Sequence, residues 1–338
     1  MPPAAVRRPL TVTAWLLMSV VALVLSPLLL VVAAIASALI RRPQPILLAR
    51  LVIAYFAREL GVLLACGLLW LVSGFGVAIR SRRLQLLHYR LLRWFVGGLA
   101  RKGRALLEID VSPELSDGAA EALRSDRPLL FFSRHAGPGD TVLLVDLLAS
   151  RYGRFPSVVF KDTLAIDPSV DLIGHRLPHA VLDTSDPDDA EARIQEVSAK
   201  LGPRGVLLLF PEGANFTPKR RRRALRKLWR KGLRREATAG QAMSHVMPPH
   251  PSGAVAALRG NPRADVIFGA HTGLGLAAFP RELWRHTPIG ATLTTRMWRV
   301  PASERPQDPD EQVRWLYDWW KRIDEWLKEQ GEEDSGSS

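Results

Sequence analysis

Cysteine is nearly absent from the chain, and acidic residues are nearly absent from its first third. Cys66 is the one thiol among 338 residues, so the chain can form no internal disulfide and shows no sign of an oxidised, secreted scaffold. Residues 1–104 contain 14 Lys and Arg but one acid, Glu59, so the net charge of +13 belongs to this segment. A basic balance confined to one segment does not mark the whole chain as a nucleic-acid-binding protein.

Long uncharged runs occupy the same basic segment. Residues 9–40 contain 32 positions without a charge and residues 60–79 contain 20, whereas about 20 apolar residues suffice to cross a bilayer. A cleaved signal peptide has a shorter apolar core and is not followed so soon by a second run. We therefore expect residues 1–83 to form an uncleaved N-terminal membrane anchor with two hydrophobic segments.

Arginines flank both runs, and their distribution favours a cell-membrane protein whose C-terminal domain lies on the cytoplasmic side. Pro27 interrupts the first run, and residues 43–59 form an apolar connector with spaced arginines. The first run therefore either bends or crosses straight, and the connector either crosses or lies in the interface. The topology of residues 10–79 stays open.

An α/β pattern follows the anchor. Residues 84–107 carry an apolar and a basic helical face, so this helix lies along the membrane surface, packs on the domain, or does both. Short apolar runs then alternate with helical stretches, as in α/β proteins; the runs are residues 128–133, 157–160, 180–182, 205–210, 264–269 and 291–300. Residues 301–330 predict a C-terminal amphipathic helix with a docking or interfacial role, or with its apolar face packed on the core as the alternative, and residues 331–338 predict a disordered tail.

The first candidate catalytic pair is His135 and Asp140, which frame a Gly-Pro-Gly turn after the run at residues 128–133. Aspartate is favoured where a helix begins, and a tight turn can fold its carboxylate towards the imidazole. A histidine oriented by a carboxylate suits a general base that deprotonates a hydroxyl. This spacing alone arises by chance about 0.4 times in a chain of this composition, so a second motif is needed.

The second motif follows the apolar run at residues 205–210, where the chain reads Phe210-Pro211-Glu212-Gly213. An acidic turn at the carboxyl end of a strand is where α/β sheets place their sites. Together, the HxxxxD and FPEG motifs resemble those of the glycerolipid acyltransferase family, which includes 1-acylglycerol-3-phosphate O-acyltransferase. The resemblance covers about residues 84–300. It implies a glycerol-phosphate acyltransferase-like mixed sheet flanked by helices, preceded by the helical membrane anchor.

The resemblance also implies roles for individual residues. His135 is the expected general base and Asp140 orients it. Asn215 replaces the arginine with which the family usually binds the acceptor phosphate, and the neighbouring Lys219 and Arg220 are candidates to supply the missing cation. The family's second sequence block is recognisable here between Lys161 and Asp183, and Thr184 stands where an arginine often ends it. The expected substrate-binding residues are Lys161, Glu212, Gly213, Asn215, Lys219, Arg220 and Pro248; no metal site is expected.

The activity implied by the resemblance is transfer of a fatty acyl group from acyl-CoA or acyl carrier protein to the free hydroxyl of a lysophospholipid. The foremost acceptor is 1-acylglycerol-3-phosphate, which would give phosphatidate. Direct transfer needs no cofactor and no acyl-enzyme, and the sequence contains no GxSxG motif. Acyl-chain length, the choice of donor and the oligomeric state stay open.

Residues 219–235 contain 11 basic residues and no acid. Such a run is either a solvated surface or a helix on a membrane with anionic lipids, and its place directly after Glu212-Gly213 favours anionic headgroups or substrate phosphates. No specific nucleic acid is expected as a partner.

Two alternatives to the foremost activity remain. The first is an acyltransferase for another lysophospholipid, glycerol 3-phosphate or a glycolipid. The second is a non-catalytic basic membrane protein that binds anionic lipid or nucleic acid.

Overall fold

The computed structural model describes residues 2–116, 118–137, 139–183, 186–272 and 289–331. Thr184 and the predicted tail beyond Gly331 lie outside the described residues. Four helices come first: α1 (Ala4–Val24), α2 (Ser26–Ile40), α3 (Gln44–Val72) and α4 (Arg82–Leu107). The first hydrophobic run is thus divided at Leu25, one residue before the Ser26-Pro27 that opens α2, because proline is suited to the first turn of a helix.

The apolar connector at residues 43–59 is helical and continuous with the second hydrophobic run in α3. Both α1 and α3 are long and apolar enough to cross a membrane, judged by length and composition. The amphipathic helix α4 packs against α3 and also against the α/β domain. Its buried residues include Leu84, Val96, Gly97, Gly98 and Ala100. The predicted packing role of α4 is therefore present in the structure.

Seven strands form one mixed sheet in the order β1-β7-β6-β2-β5-β3-β4. The strands are β1 (Asp110–Leu115), β2 (Leu129–Ser133), β3 (Phe155–Lys161), β4 (Ala180–Leu182), β5 (Gly205–Leu209), β6 (Asp265–His271) and β7 (Thr292–Val300). All neighbouring strands pair in parallel except β6 and β7. The predicted mixed sheet flanked by helices is confirmed. β1 was not predicted, because its alternating, partly exposed sequence contains Pro113 and no apolar run.

In the described ranges, eight further helices flank the sheet: α5 (Ala119–Arg124), α6 (Asp140–Asp146), α7 (Pro168–Arg176), α8 (Pro187–Ala199), α9 (Pro218–Arg230), α10 (Arg234–Gln241), α11 (Pro251–Gly260) and α12 (Pro309–Glu329). Four of them begin with the same device, in which a side-chain oxygen accepts a hydrogen bond from a first-turn N–H and a proline follows. The capping residues are Asp167, Asp186, Thr217 and Asp308.

The C-terminal helix α12 packs on the hydrophobic core, which was the alternative to a docking or interfacial role for this predicted helix. Trp320, Ile323 and Leu327 are fully buried. The Trp319 ring stacks on Phe268 of β6 with ring centroids 4.4 Å apart. A 3.6-residue apolar period indicates a covered helix face without showing what covers it. The α/β domain therefore extends beyond residue 300.

Ionic contacts join the N-terminal helices to α7. The buried carboxylate of Asp171 accepts hydrogen bonds from Arg7 Nη2 at 3.0 Å and Arg8 Nε at 3.1 Å, both at the start of α1. Tyr55 of α3 donates its hydroxyl hydrogen to Asp167 Oδ2 at 2.5 Å. Since a buried carboxylate needs such partners, these contacts fix α7 against α1 and α3.

Helices α8 and α11 approach closely, and Gly260 permits the approach. A Cβ at Gly260 would collide with the backbone oxygen of Gln195 and lie 2.8 Å from Ser198 Cβ. We expect Gly260→Ala to destabilise the protein by about 1–3 kcal/mol through overpacking, although alanine favours a helix. Thermal unfolding of the detergent-purified protein measures this effect.

Gly103→Ala in α4 is the matched control, because no heavy atom lies within 4 Å of a Cβ at that helical position. This variant should melt at or slightly above the wild-type temperature. Equal melting temperatures for the two variants would contradict the close approach of α8 and α11.

Candidate active site

The two motifs meet at the carboxyl edge of the sheet. β2 and β5 pair in parallel, with Phe132 opposite Leu209. His135 follows the end of β2, and Phe210-Pro211-Glu212-Gly213 follows the end of β5. Because parallel neighbours end at the same edge, the histidine and the FPEG turn leave the sheet side by side.

His135 and Asp140 form a hydrogen-bonded pair, with His135 Nδ1 3.1 Å from Asp140 Oδ2. Asp140 is the first residue of α6, and its Oδ2 also accepts hydrogen bonds from the backbone N–H of Ala136 at 2.6 Å and of Gly137 at 2.7 Å. The turn therefore folds the carboxylate back towards the imidazole. The Asp140 side chain is fully buried, whereas that of His135 is 18% exposed.

Several groups keep Asp140 charged. Burial acts to raise its pKa, but nearby His271, the His135 hydrogen bond and the Gly137 N–H together bring the pKa below its ordinary value. A carboxylate facing Nδ1 favours the imidazole tautomer that carries its proton there. His135 Nε2 is then left with the lone pair that a general base needs.

Glu212 supports His135 from behind. Its Oε1 accepts the backbone N–H of His135 at 2.9 Å, and its Oε2 accepts that of Met247 at 3.1 Å. Burial raises the pKa of Glu212 to about 8, opposed by the charge of Arg134 and by these two N–H groups. Both carboxylate oxygens are thus engaged by backbone, a supporting position that sequence reasoning did not foresee.

Two phenylalanines complete the surroundings of His135. The Phe210 ring stacks on the imidazole at a centroid distance of 4.4 Å. The backbone N–H of Phe216 donates to the His135 carbonyl oxygen at 2.8 Å. Phe210 belongs to the recognised motif, but sequence reasoning assigned it no contact with the histidine. These contacts fix the ring plane as well as the backbone of His135.

A cavity of about 780 Å³ opens beside His135. Its wall is largely apolar and comes from helices α4, α6, α7 and α8 and from strand β3. The apolar lining residues include Leu92, Phe95, Val145, Val158, Phe160, Ile173 and Ile194. This volume and this chemistry suit a long apolar ligand part that extends away from the histidine.

The structure divides the predicted substrate-binding residues into two groups. Lys161, Gly213, Asn215 and Arg220 line the cavity together with His135. The others, namely Glu212, Lys219 and Pro248, are not among the lining residues. Lys219 is exposed on α9, and Pro248 is buried beside Gly240.

Arg220 lies where the sequence lacks the expected arginine. Its Nη1 donates a hydrogen bond to the backbone oxygen of Asn215 at 3.3 Å, and its side chain lines the cavity. Arg220 rather than Lys219 lines the cavity because α9 begins at Pro218 and the two consecutive side chains point to different faces of that helix.

His250 is a cavity residue that the sequence analysis did not include among the binding residues. A Cβ at Gly213, where φ is +67°, would lie 3.2 Å from His250 Cδ2, so glycine suits both the turn and the packing. Packing around the ring and the charges of Lys227 and Lys161 lower the pKa of His250. Its position directly after Pro248-Pro249 was the available sequence signal.

Across the described ranges, no group of three or more His, Cys, Asp or Glu side chains is arranged to hold a metal ion.

Known proteins share part of these features. Residues 116–249 match the family model described as Acyltransferase. No curated protein sequence matches the chain. Among solved structures, the 1-acyl-sn-glycerophosphate (LPA) acyltransferase PlsC from Thermotoga maritima is similar, with 16% identity and a TM-score of 0.49 over 80% of this chain and 98% of that chain. The matched residues, 116–249, contain both the histidine–aspartate pair and the FPEG turn.

Proposed function

We propose that the protein transfers a fatty acyl group from acyl-CoA or acyl carrier protein to the free hydroxyl of a lysophospholipid, foremost 1-acylglycerol-3-phosphate. The observation that carries this proposal is the His135–Asp140 pair at the wall of a large apolar cavity whose rim bears Lys161 and Arg220. An acceptor with a phosphate, a hydroxyl and a fatty chain has one part for each of these features.

The reaction follows from the geometry of the pair. His135 Nε2 takes the proton of the acceptor hydroxyl while the hydroxyl oxygen attacks the thioester carbonyl carbon. The Asp140 carboxylate stabilises the imidazolium that forms. The carbon–sulfur bond then breaks, an ester remains, and the imidazolium returns the proton to the leaving thiolate. No acyl-enzyme and no cofactor takes part in this sequence.

Recognition of the acceptor is divided between charge and apolar area. Each buried methylene contributes about 0.8 kcal/mol, so a fatty chain in the apolar cavity contributes most of the binding free energy. The Lys161 ammonium and the Arg220 guanidinium supply charge-assisted hydrogen bonds to a phosphate. Here Arg220, five residues after Asn215, takes the place of the family's usual arginine, so one cation of the acceptor site is supplied from a different position. Another lysophospholipid or a glycolipid is therefore the second candidate acceptor.

A membrane with anionic lipids is the proposed partner, and the cytoplasmic face of the cell membrane the proposed location. α9 exposes Arg222, Arg223, Arg226 and Arg230, and Trp229 is 47% exposed among them. Each cation near an anionic surface contributes about 1 kcal/mol of attraction. The exposed indole is suited to the headgroup layer. α1 and α3 are the candidate spans that hold the domain at this surface.

His135→Ala should lower the rate of acyl transfer by about 10²–10⁴-fold, because the variant has no base for the acceptor hydroxyl. Asp140→Asn should lower it as well, since an amide can neither hold the tautomer nor stabilise the imidazolium. Detergent-purified protein, acyl-CoA or acyl carrier protein, and a panel of lysolipids and glycerol 3-phosphate provide the measurement. A folded His135→Ala variant with the wild-type rate would refute the mechanism. Absence of transfer to every acceptor would favour the non-catalytic lipid-binding or nucleic-acid-binding alternative.

Arg220→Ala should raise the KM for a phosphate-bearing lysolipid about tenfold or more, because the lost hydrogen bond is to a charged group. Lys219→Ala removes the neighbouring cation, which is exposed and does not line the cavity, so its KM should stay near that of the wild type. The pair is matched in charge and in sequence position. An equal rise in KM for both variants would show that long-range charge, rather than Arg220, holds the phosphate.

A polarity-sensitive fluorophore attached to the cysteine of Trp229→Cys tests this contact. Its emission maximum should lie further to the blue in nanodiscs of phosphatidylcholine and phosphatidylglycerol than in nanodiscs of phosphatidylcholine alone. Cys66 is buried and should not be labelled. Replacing Arg222, Arg223, Arg226 and Arg230 by Gln should abolish the shift, because the anionic surface no longer attracts α9. The same label on exposed Asp318→Cys of α12 is the control. Equal shifts at both positions would argue against a membrane contact by α9.

A further inference from the structure

Asp140 lies between two histidines. Its Oδ2 is 3.1 Å from Nδ1 of His135 on one side and 3.6 Å from Nε2 of His271 on the other. His271 is the last residue of β6, which pairs with β2, the strand that precedes His135. The second histidine thus reaches the same oxygen that orients the first.

The β2–β6 pairing fixes the position of His271. The backbone N–H of Arg134 donates to the Gly269 oxygen at 3.0 Å, which continues the ladder past Ser133. The Arg134 guanidinium then donates from Nη1 to the His271 carbonyl oxygen at 2.6 Å. His271 itself is 4% exposed. The residue directly before the proposed base therefore holds the second histidine.

A second cavity, of about 210 Å³, lies beside Asp140 and His271. Asp140 and His271 line it, whereas His135 lines the large cavity. The charged side chains that also line it are Arg104 of α4, Asp146 of α6 and Arg151, which follows α6. His271 therefore meets the carboxylate away from the space where an acceptor would bind.

We propose that His271 is a positioning residue for acyl transfer and acts through Asp140. Its ring nitrogen holds Oδ2 in place and stabilises the carboxylate charge, and this sets how strongly Asp140 stabilises the imidazolium of His135. The charged groups that face His271 are Asp140, Arg134, Arg104, Arg151 and Asp146. The proposal rests on the proposed role of His135 as the base.

The direction of the effect follows from electrostatics. A group that stabilises the Asp140 carboxylate reduces the share of that negative charge available to the His135 imidazolium. Without the His271 nitrogen, the carboxylate should hold the imidazolium more strongly. The base would then lose its proton at a higher pH, and the acid limb of the pH–rate profile would move upward.

The test compares His271→Gln with His271→Asn. The glutamine amide nitrogen can occupy the place of Nε2, whereas the asparagine amide is too short to reach Asp140. His271→Asn should lower kcat about tenfold, because an Asp140 carboxylate that is free to move orients the His135 ring less well, and this loss of orientation outweighs the stronger charge interaction. KM for both substrates should stay within about twofold, and the acid limb should move upward by several tenths of a pH unit. His271→Gln should keep the wild-type kcat and acid limb. Thr295→Val, which alters the second cavity near His271 without removing a group that contacts Asp140, should also behave as wild type.

Carbethoxylation of His135 against pH, followed by mass spectrometry, gives a readout that needs no activity. Its midpoint should rise in His271→Asn and not in His271→Gln. If wild type transfers no acyl group, the proposed function fails, and this titration still tests His271. Unchanged midpoints in both variants, or equal losses of kcat with an unmoved acid limb, would overturn the positioning role.

Discussion

Strands β2 and β5 run side by side with Leu129 opposite Val206 and Phe132 opposite Leu209. Every residue of both strands is buried, so a shift of register would move large side chains between the two faces of the core. The register therefore determines where the two strand ends lie. The hydrogen bond between His135 and Glu212 depends on this pairing. The relative position of the two residues is therefore as rigid as the central sheet.

Three buried ionisable side chains lie at the strand ends. Asp140 is hydrogen-bonded to His135 and to two backbone N–H groups, with His271 Nε2 3.6 Å from its Oδ2, and Glu212 accepts hydrogen bonds from two backbone N–H groups. Arg134 lies near Glu212 and donates to the carbonyl oxygens of His271 and His245. Buried charges persist only when such partners offset their desolvation. The same hydrogen bonds that satisfy these charges also join β2, β6 and the loop before α11 around one histidine.

The N-terminal helices α1 and α3 contribute to the cavity through α7. Val170 and Ile173 of α7 line the large cavity, and the neighbouring Asp171 accepts hydrogen bonds from Arg7 and Arg8 of α1. At the other end of α7, Arg176 donates to the backbone oxygen of Cys66 in α3. One wall of the apolar cavity is thus attached to α1 and α3, the two candidate membrane spans. Such an attachment couples the place where a fatty chain would bind to the helices that would meet the lipid.

Local patterns in the sequence determined a large part of this architecture. Uncharged runs identified the N-terminal helices, short apolar runs identified six of the seven strands, and the two motifs identified His135, Asp140 and the FPEG turn. These features are local, since hydrophobic period and turn chemistry act over a few residues. β1 was missed because it has no apolar run, and α12 was assigned a docking or interfacial role because amphipathicity does not show what covers the apolar face.

Only the tertiary structure decided which of these residues meet. Whether Lys219 or Arg220 lines the cavity depends on the direction in which α9 leaves the sheet. The backbone contacts of Glu212 and the approach of His271 to Asp140 join positions far apart in the sequence. Sequence spacing carries no information about such distances, because they arise from strand order and from the burial of charges that must find partners. The motif residues could therefore be identified from the sequence, whereas packing determined the contacts that hold them in place and the charge states that they adopt.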